Sequence, residues 1–426
     1  MFAVPLLALA SLPQDPARLA AAATNEFAVE LYQKLAAGQD GNLFLSPWSI
    51  ATVLVMATEG ARGETAAEMR RVMHLPAGPL DDAHASFASL RQQLTAFSGG
   101  ELHSAQSLWF DHSLQVVPAF SAALEPFHAS GLQRVDFLGA PEVARSDINA
   151  WVAERTAQRI RELLQPGDVP AHTRFQIVNA THFRGLWASP FDEQSTKLAE
   201  FSRPDGTKVT VPLMRDANLA KSRFAAFTST GDYFATPRWR STHPGKVTPV
   251  APGPGGFQIA ALPYQGDRLE MVVLLPDSAD GLAKLEAMVT AERLTGWLAH
   301  LERRTIDLAL PRFAMECRFA LREQLQDLGM RRAFATSGDQ VAQFDGIATA
   351  ERLCVDRVVH MACIEVTEKG TEADAATTVG GAVIGMGSQP VKPVFRADRP
   401  FLFLIRDTKS GAILFLGRVH QPTKAV

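Results

Sequence analysis

The sequence predicts an α+β protein, with helices mostly in its first part and strands mostly in its second. Three observations carry this. Apolar residues recur mainly at helical spacing as far as Leu164, whereas β-rich runs bounded by Gly and Pro prevail from Phe175 onward. Strands and helices do not alternate as βαβ units would. No internal repeat appears, and 426 residues at 46% hydrophobic suffice for one large core or two ordinary domains.

Residues 1–14 begin MFAVPLLALASL. This run is too short to span a bilayer, and it resembles a signal or leader segment with Ala8-Leu9-Ala10 as a cleavage site, although no basic lead-in precedes it. The expectation is a secreted or periplasmic protein, with a cytoplasmic one as the alternative.

From Asp15 to Ala37, Leu19, Phe27, Leu31 and Leu35 mark an amphipathic helix. Asn42–Leu45 reads as a strand, and Ser46-Pro47 opens a buried helix with Ser as N-cap and Pro at the first helical position. Thr65 and Glu68 form a capping box for a helix that ends before Pro76. Helices follow over 82–97, 119–129 and 148–164, with a strand at 106–110. Phe175–Phe183 is a half-buried strand and 188–201 reads as irregular. Strands follow at 209–214, 223–227, 257–262 and 269–275, a helix at 282–301, a strand at 306–310 closed by Pro311, and a helix at 321–328 ended by Gly329. A long strand over 354–367 and a closing pair at 401–406 and 412–419 complete the chain. Residues 231–256, rich in Pro, Gly, Arg and His, read as an inserted solvent loop. Arg238, Arg240, His243 and Lys246 near Trp239 offer it a weaker role toward a polyanion or partner.

One stretch has two conformations written into it. Thr371, Ala373, Ala375 and Thr377 are small, while Glu372 and Asp374 fall between them, with Ala376 next. That is the period of a strand with one small face and one solvated face, and a Gly-rich run from Gly380 to Gly387 follows it. It reads as a loop able to become a strand.

Composition excludes several functions. Basic and acidic residues nearly cancel, 42 against 45, so nothing invites nucleic acid, and no later segment suits a membrane. Cys317, Cys354 and Cys363 fit neither a disulfide framework nor a zinc site and read as buried small hydrophobes. The eleven His residues show no metal-ligand spacing, so no metal or other cofactor is expected. Neither a nucleophile elbow nor a phosphate loop occurs, and Ser388, His360 and Asp356 make a triad on paper only, so no enzyme is expected. Asn179-Ala180-Thr181 matches a glycosylation acceptor, but in an apolar run that would bury it.

The motifs Asn42-Leu43-Phe44-Leu45-Ser46-Pro47-Trp48-Ser49-Ile50, Val178-Asn179-Ala180-Thr181-His182-Phe183-Arg184-Gly185-Leu186-Trp187 and Phe344-Asp345-Gly346-Ile347 stand in register with Arg396-Ala397-Asp398-Arg399-Pro400-Phe401 and Leu416-Gly417-Arg418-Val419. Together they resemble the serpin family over nearly the whole chain, and an inhibitory member of bacterial type in particular. The resemblance implies a single domain over residues 15–426, with three β-sheets, about nine helices and an exposed reactive-centre loop, here 368–394. It also implies a monomer that acts as a suicide substrate, trapping an elastase- or chymotrypsin-like serine protease by loop insertion. The alternatives are a non-inhibitory, chaperone-like binding module and an inhibitor of cysteine proteases.

The resemblance further assigns a hinge to Glu368, Gly370, Thr371, Glu372, Ala373, Asp374, Ala375, Ala376 and Thr377. It assigns a sheet-opening cluster to Ser46, Ser49, Asn179 and His360, with Trp187 where insertion begins. The family's spacing from Glu368 puts the reactive bond at Ile384-Gly385, with Met386-Gly387 second. A medium apolar residue there suits the shallow primary pocket of an elastase-like target. Asp374 departs from the family's alanine, and its place on the outward face is expected to leave its charge in water. Arg91 is the one basic residue of the 82–97 helix, so no heparin site is expected.

Overall fold

Two hydrophobic clusters organise the chain, one on each face of a six-stranded sheet. The computed structural model describes residues 15–95, 97, 99–128, 131–234, 254–338, 340–371 and 392–423. Among them are nine α-helices and three sheets of eight, four and six strands, the α+β architecture that the sequence predicts.

The local chemistry behaves as expected at both early helix starts. Asp15 accepts the Ala17 amide ahead of the Pro16–Gly38 helix, and Ser46 accepts the Ser49 amide ahead of Pro47–Gly60. Every residue from Ile50 to Met56 is buried, because this helix runs beneath the six-stranded sheet. On the opposite face the Pro141–Arg155 helix covers Val178, Ala180, Val359 and Met361.

Several expectations need correction. Thr65 and Glu68 do not cap their own helix, which starts at Gly63 behind an Arg62 that makes no side-chain cap. Thr65 instead accepts the Gln343 amide, and Glu68 the amides of Arg331 and Arg332, so the pair fastens a distant turn. The helix expected over 148–164 spans Pro141–Arg155, and Ala157 and Gln158 take left-handed backbone beyond it. Ile160, Leu163 and Leu164 keep their apolar role as a strap packed on the sheet, which is why periodicity alone misplaced them. The helix expected over 282–301 is two, Leu282–Met288 and Ala291–Ala299, divided where Thr290 caps the second. Lys197–Ser202 is a strand rather than irregular chain, and a further strand, Phe313–Ala320, follows Pro311. Tyr233–Phe234 pairs with Phe227 and Ala226, so the inserted loop starts later than Gly231, and its residues 235–253 lie outside the described ones. The three cysteines are half-buried rather than buried.

The six-stranded sheet positions the site. Its order is Phe313–Ala320, Arg357–Val366, Gly370–Thr371, Phe175–Leu186, Gly100–Asp111 and Leu132–Val135. Arg357–Cys363 and Gln176–His182 pair directly with each other, in parallel. Only at the top are these two strands separated, where Gly370–Thr371 lies antiparallel between Val366 and Gly185–Leu186.

Candidate functional site

The seam between strands Phe175–Leu186 and Arg357–Val366 carries the site at two levels. At its top the chain turns through Thr367–Gly370, closed by the Thr367 amide on the Gly370 carbonyl at 2.7 Å. The Phe191 and Trp187 amides donate to the carbonyls of Glu368 and Lys369 at 2.8 and 3.0 Å, extending the ladder around the turn. Gly370 takes φ +155°, and a Cβ there would stand 2.1 Å from the Gly185 carbonyl oxygen, so no larger residue fits.

The Glu368 carboxylate is buried at 3% exposure. It accepts from Thr196 Oγ1, from Arg312 Nε and from a terminal guanidinium nitrogen of Arg312. Thr371 is fully buried, and its Oγ1 lies 2.8 Å from the Tyr264 hydroxyl. The Tyr264 ring stacks on Trp187 with centroids 4.6 Å apart, and Trp187 Nε1 donates to the Thr367 carbonyl at 3.0 Å. Burial raises the Tyr264 pKa, so the hydroxyl keeps its proton.

The second level lies midway down. His360 and Asn179 face each other across the seam in register, and their side chains are hydrogen-bonded through His360 Nδ1 and Asn179 Oδ1. His360 Nε2 accepts the Ser46 amide at 3.0 Å, so the ring is neutral with its proton on Nδ1. Asn179 Nδ2 donates to Ser49 Oγ at 2.7 Å, and Thr181 Oγ1 and Gln106 Nε2 reach the same oxygen at 2.7 and 2.9 Å. Ser46 Oγ donates to the Leu414 carbonyl. The structure therefore brings Ser46, Ser49, Asn179 and His360 together as one buried network and seats Trp187 apart from them, at the top of the seam.

Burial pushes His360 down from 6.5 to about 3. Both states are neutral above the ordinary value, and below it only the unfolded chain takes the proton. Stability is thus present above pH 6.5 and lost as pH falls toward 3, by about 3 kcal/mol at pH 4.5 from this group alone. Buried His128 is lowered to about 3 as well, by burial first and then by His84 and Arg91, and adds a slope of the same sign. Between pH 7 and pH 4.5, His360→Gln is expected to lose about 3 kcal/mol less stability than the wild type in urea unfolding. An unchanged slope would rule out a neutral buried His360.

The paper triad fails on geometry. Both His360 nitrogens are committed, Asp356 bonds Thr173 Oγ1 at 2.7 Å, and Ser388 lies outside the described residues. Asn179 is fully buried, so the glycosylation match is closed. Glu372 to Thr377, Ile384, Gly385, Met386 and Gly387 also lie outside the described residues. Sequence reasoning missed Tyr264, Arg312, Thr196 and Gln106. Tyr264 falls between the strands expected at 257–262 and 269–275, and Arg312 directly after Pro311, so neither position carries a local signal of the contact it makes.

A family model described as Serpin (serine protease inhibitor) matches residues 22–232 and 248–422. The chain is 35% identical to an uncharacterized serpin-like protein of Thermococcus kodakarensis, covering 94% of this chain and 85% of that one. It is also 35% identical to the leukocyte elastase inhibitor of Bos taurus, covering 94% of this chain and 99% of the relative. Against antithrombin-III of Mus musculus the identity is 34% over 94% of this chain and 81% of the relative. Among solved structures, uncleaved ovalbumin superposes with TM-score 0.80 at 29% identity, covering 94% of this chain and 99% of that one.

Proposed function

The chain belongs to the serpin family, and we propose that it is a suicide-substrate inhibitor of a serine endopeptidase with elastase-like preference. One observation carries the reading: the seam is a parallel pair over Arg357–Cys363 that, among the described residues, holds Gly370 and Thr371 between its strands at the top. Parallel pairing is the weaker kind, and one strand inserted along the seam would replace it with two antiparallel pairings. About ten added ladder bonds at roughly 1 kcal/mol each give on the order of 10 kcal/mol to drive insertion.

The register at the top supports a smooth continuation. Thr371 faces Gly185 on one side and Val366 on the other. In the proposed inserted form, steps of two residues would set Ala373 against Phe183 and Ile364, Ala375 against Thr181 and Ala362, and Thr377 against Asn179 and His360. These small side chains would meet the core face. The same register would set Asp374 on the other face, beside His182 and Cys363. His182 is buried, so in the inserted form this carboxylate meets an imidazole rather than open water.

In the reaction, the target's serine forms an ester with the Ile384 carbonyl as the Ile384–Gly385 amide breaks, and Gly385 leaves as a protonated amine. Insertion then competes with hydrolysis of that ester. The similarity to proteins named as elastase inhibitors supports the choice of target. Incubation with pancreatic or neutrophil elastase is expected to yield a complex that survives boiling on a denaturing gel. The released C-terminal peptide is expected to begin at Gly385. Cleavage with no complex would leave a substrate-like family member, and a peptide beginning at Gly387 would move the reactive bond to Met386.

A further inference from the structure

Tyr264 is held from every side. Its amide donates to the Leu269 carbonyl at 2.9 Å, and the next amide, of Gln265, donates to the Leu186 carbonyl at 2.8 Å. The backbone here joins the eight-stranded sheet to the end of the Phe175–Leu186 strand. The ring lies flat on Trp187, meets Phe183 edge-on at 5.1 Å, and is fully buried. A Cβ on Gly185 would come within 2.8 Å of the ring, so the strand above is bare glycine where the phenol passes. The hydroxyl therefore has a fixed place in a fully buried site, and what it meets there is Thr371 Oγ1.

We propose that Tyr264 is a positioning residue for loop insertion, whose hydroxyl captures the Thr371 hydroxyl and holds the hinge seated at the top of the seam. This rests on the inhibitory reading above. Withdrawal of Thr371 would leave a buried hydroxyl without a partner, an unfavourable state, so the two groups hold each other in place. The reactive loop then begins each encounter already aimed between the two strands, and acylation is followed by zipping rather than by a search.

Tyr264→Phe keeps the ring and its stacking and removes only the hydroxyl, and Thr371→Val removes the partner while keeping its branched shape. In the full chain, hydrogen exchange over residues 368–374 is expected to quicken about fivefold in either variant, what one neutral hydrogen bond is worth. Exchange over 357–363 is expected to stay unchanged, and the double variant is expected to match the single ones. With elastase, both variants are expected to give more cleaved product per complex. Unchanged hinge exchange in Tyr264→Phe, or effects that add in the double variant, would overturn the capture. A wild-type chain that forms no complex would instead sink the inhibitory reading, and the exchange comparison would still decide the role of Tyr264.

Discussion

Thr371→Arg is expected to leave elastase releasing cleaved chain with almost no boiling-resistant complex, a change from the proposed inhibitor to a substrate. The side chain at 371 points into a fully buried place bounded by Tyr264 and Gly185. Seating a guanidinium there costs several kcal/mol in desolvation. Each 1.4 kcal/mol added to the insertion barrier slows it about tenfold, so hydrolysis of the acyl-enzyme overtakes insertion. Thr371→Ser keeps the hydroxyl and is expected to retain the complex. Densitometry of complex against cleaved chain reads both, and full inhibition by the arginine variant would refute the account of the hinge.

Glu368→Lys is the second large effect. The substitution replaces a carboxylate that accepts from Thr196 and Arg312 with an ammonium facing that same guanidinium. Breaking a buried pair by removing one partner costs about 3–5 kcal/mol. Arg312 is 43% exposed, which places the expectation near the lower figure. Glu368 anchors the turn whose carbonyls hold the Phe191 and Trp187 amides, so the damage is expected at the top of the seam. The variant is expected to unfold at lower urea and to exchange the Trp187 amide at least tenfold faster. Glu368→Gln keeps an acceptor for Thr196 and is expected to fall between. Wild-type protection in the lysine variant would show that the ion pair does not hold the hinge.

Local chemistry made a good part of this protein legible from residues alone. The Ser46-Pro47 helix start, the alternation from Thr371 to Thr377 and the apolar strands near the C-terminus each act within a few neighbours, and the first and last stand as expected. Where apolar spacing continued past a helix end, as from Thr156 to Leu164, the pattern misled, because a strap packed on a sheet and a helix both place apolar groups every three or four residues. The Thr65–Glu68 pair misled for a related reason: an acceptor chooses among all nearby amides, and those of Gln343, Arg331 and Arg332 are distant only in sequence.

The sequence by itself determined the fold class and, through the family resemblance, named the four polar residues that meet in the seam, since these rest on residue types in a given order. Only the tertiary structure decided that the two strands pair directly from Arg357 to Cys363, that Tyr264 meets Thr371, and that Arg312 meets Glu368. The physical reason is that strand pairing, burial and hydrogen-bond choice depend on which surfaces meet. Tyr264 and Thr371 are 107 residues apart and become partners only when two sheets pack together.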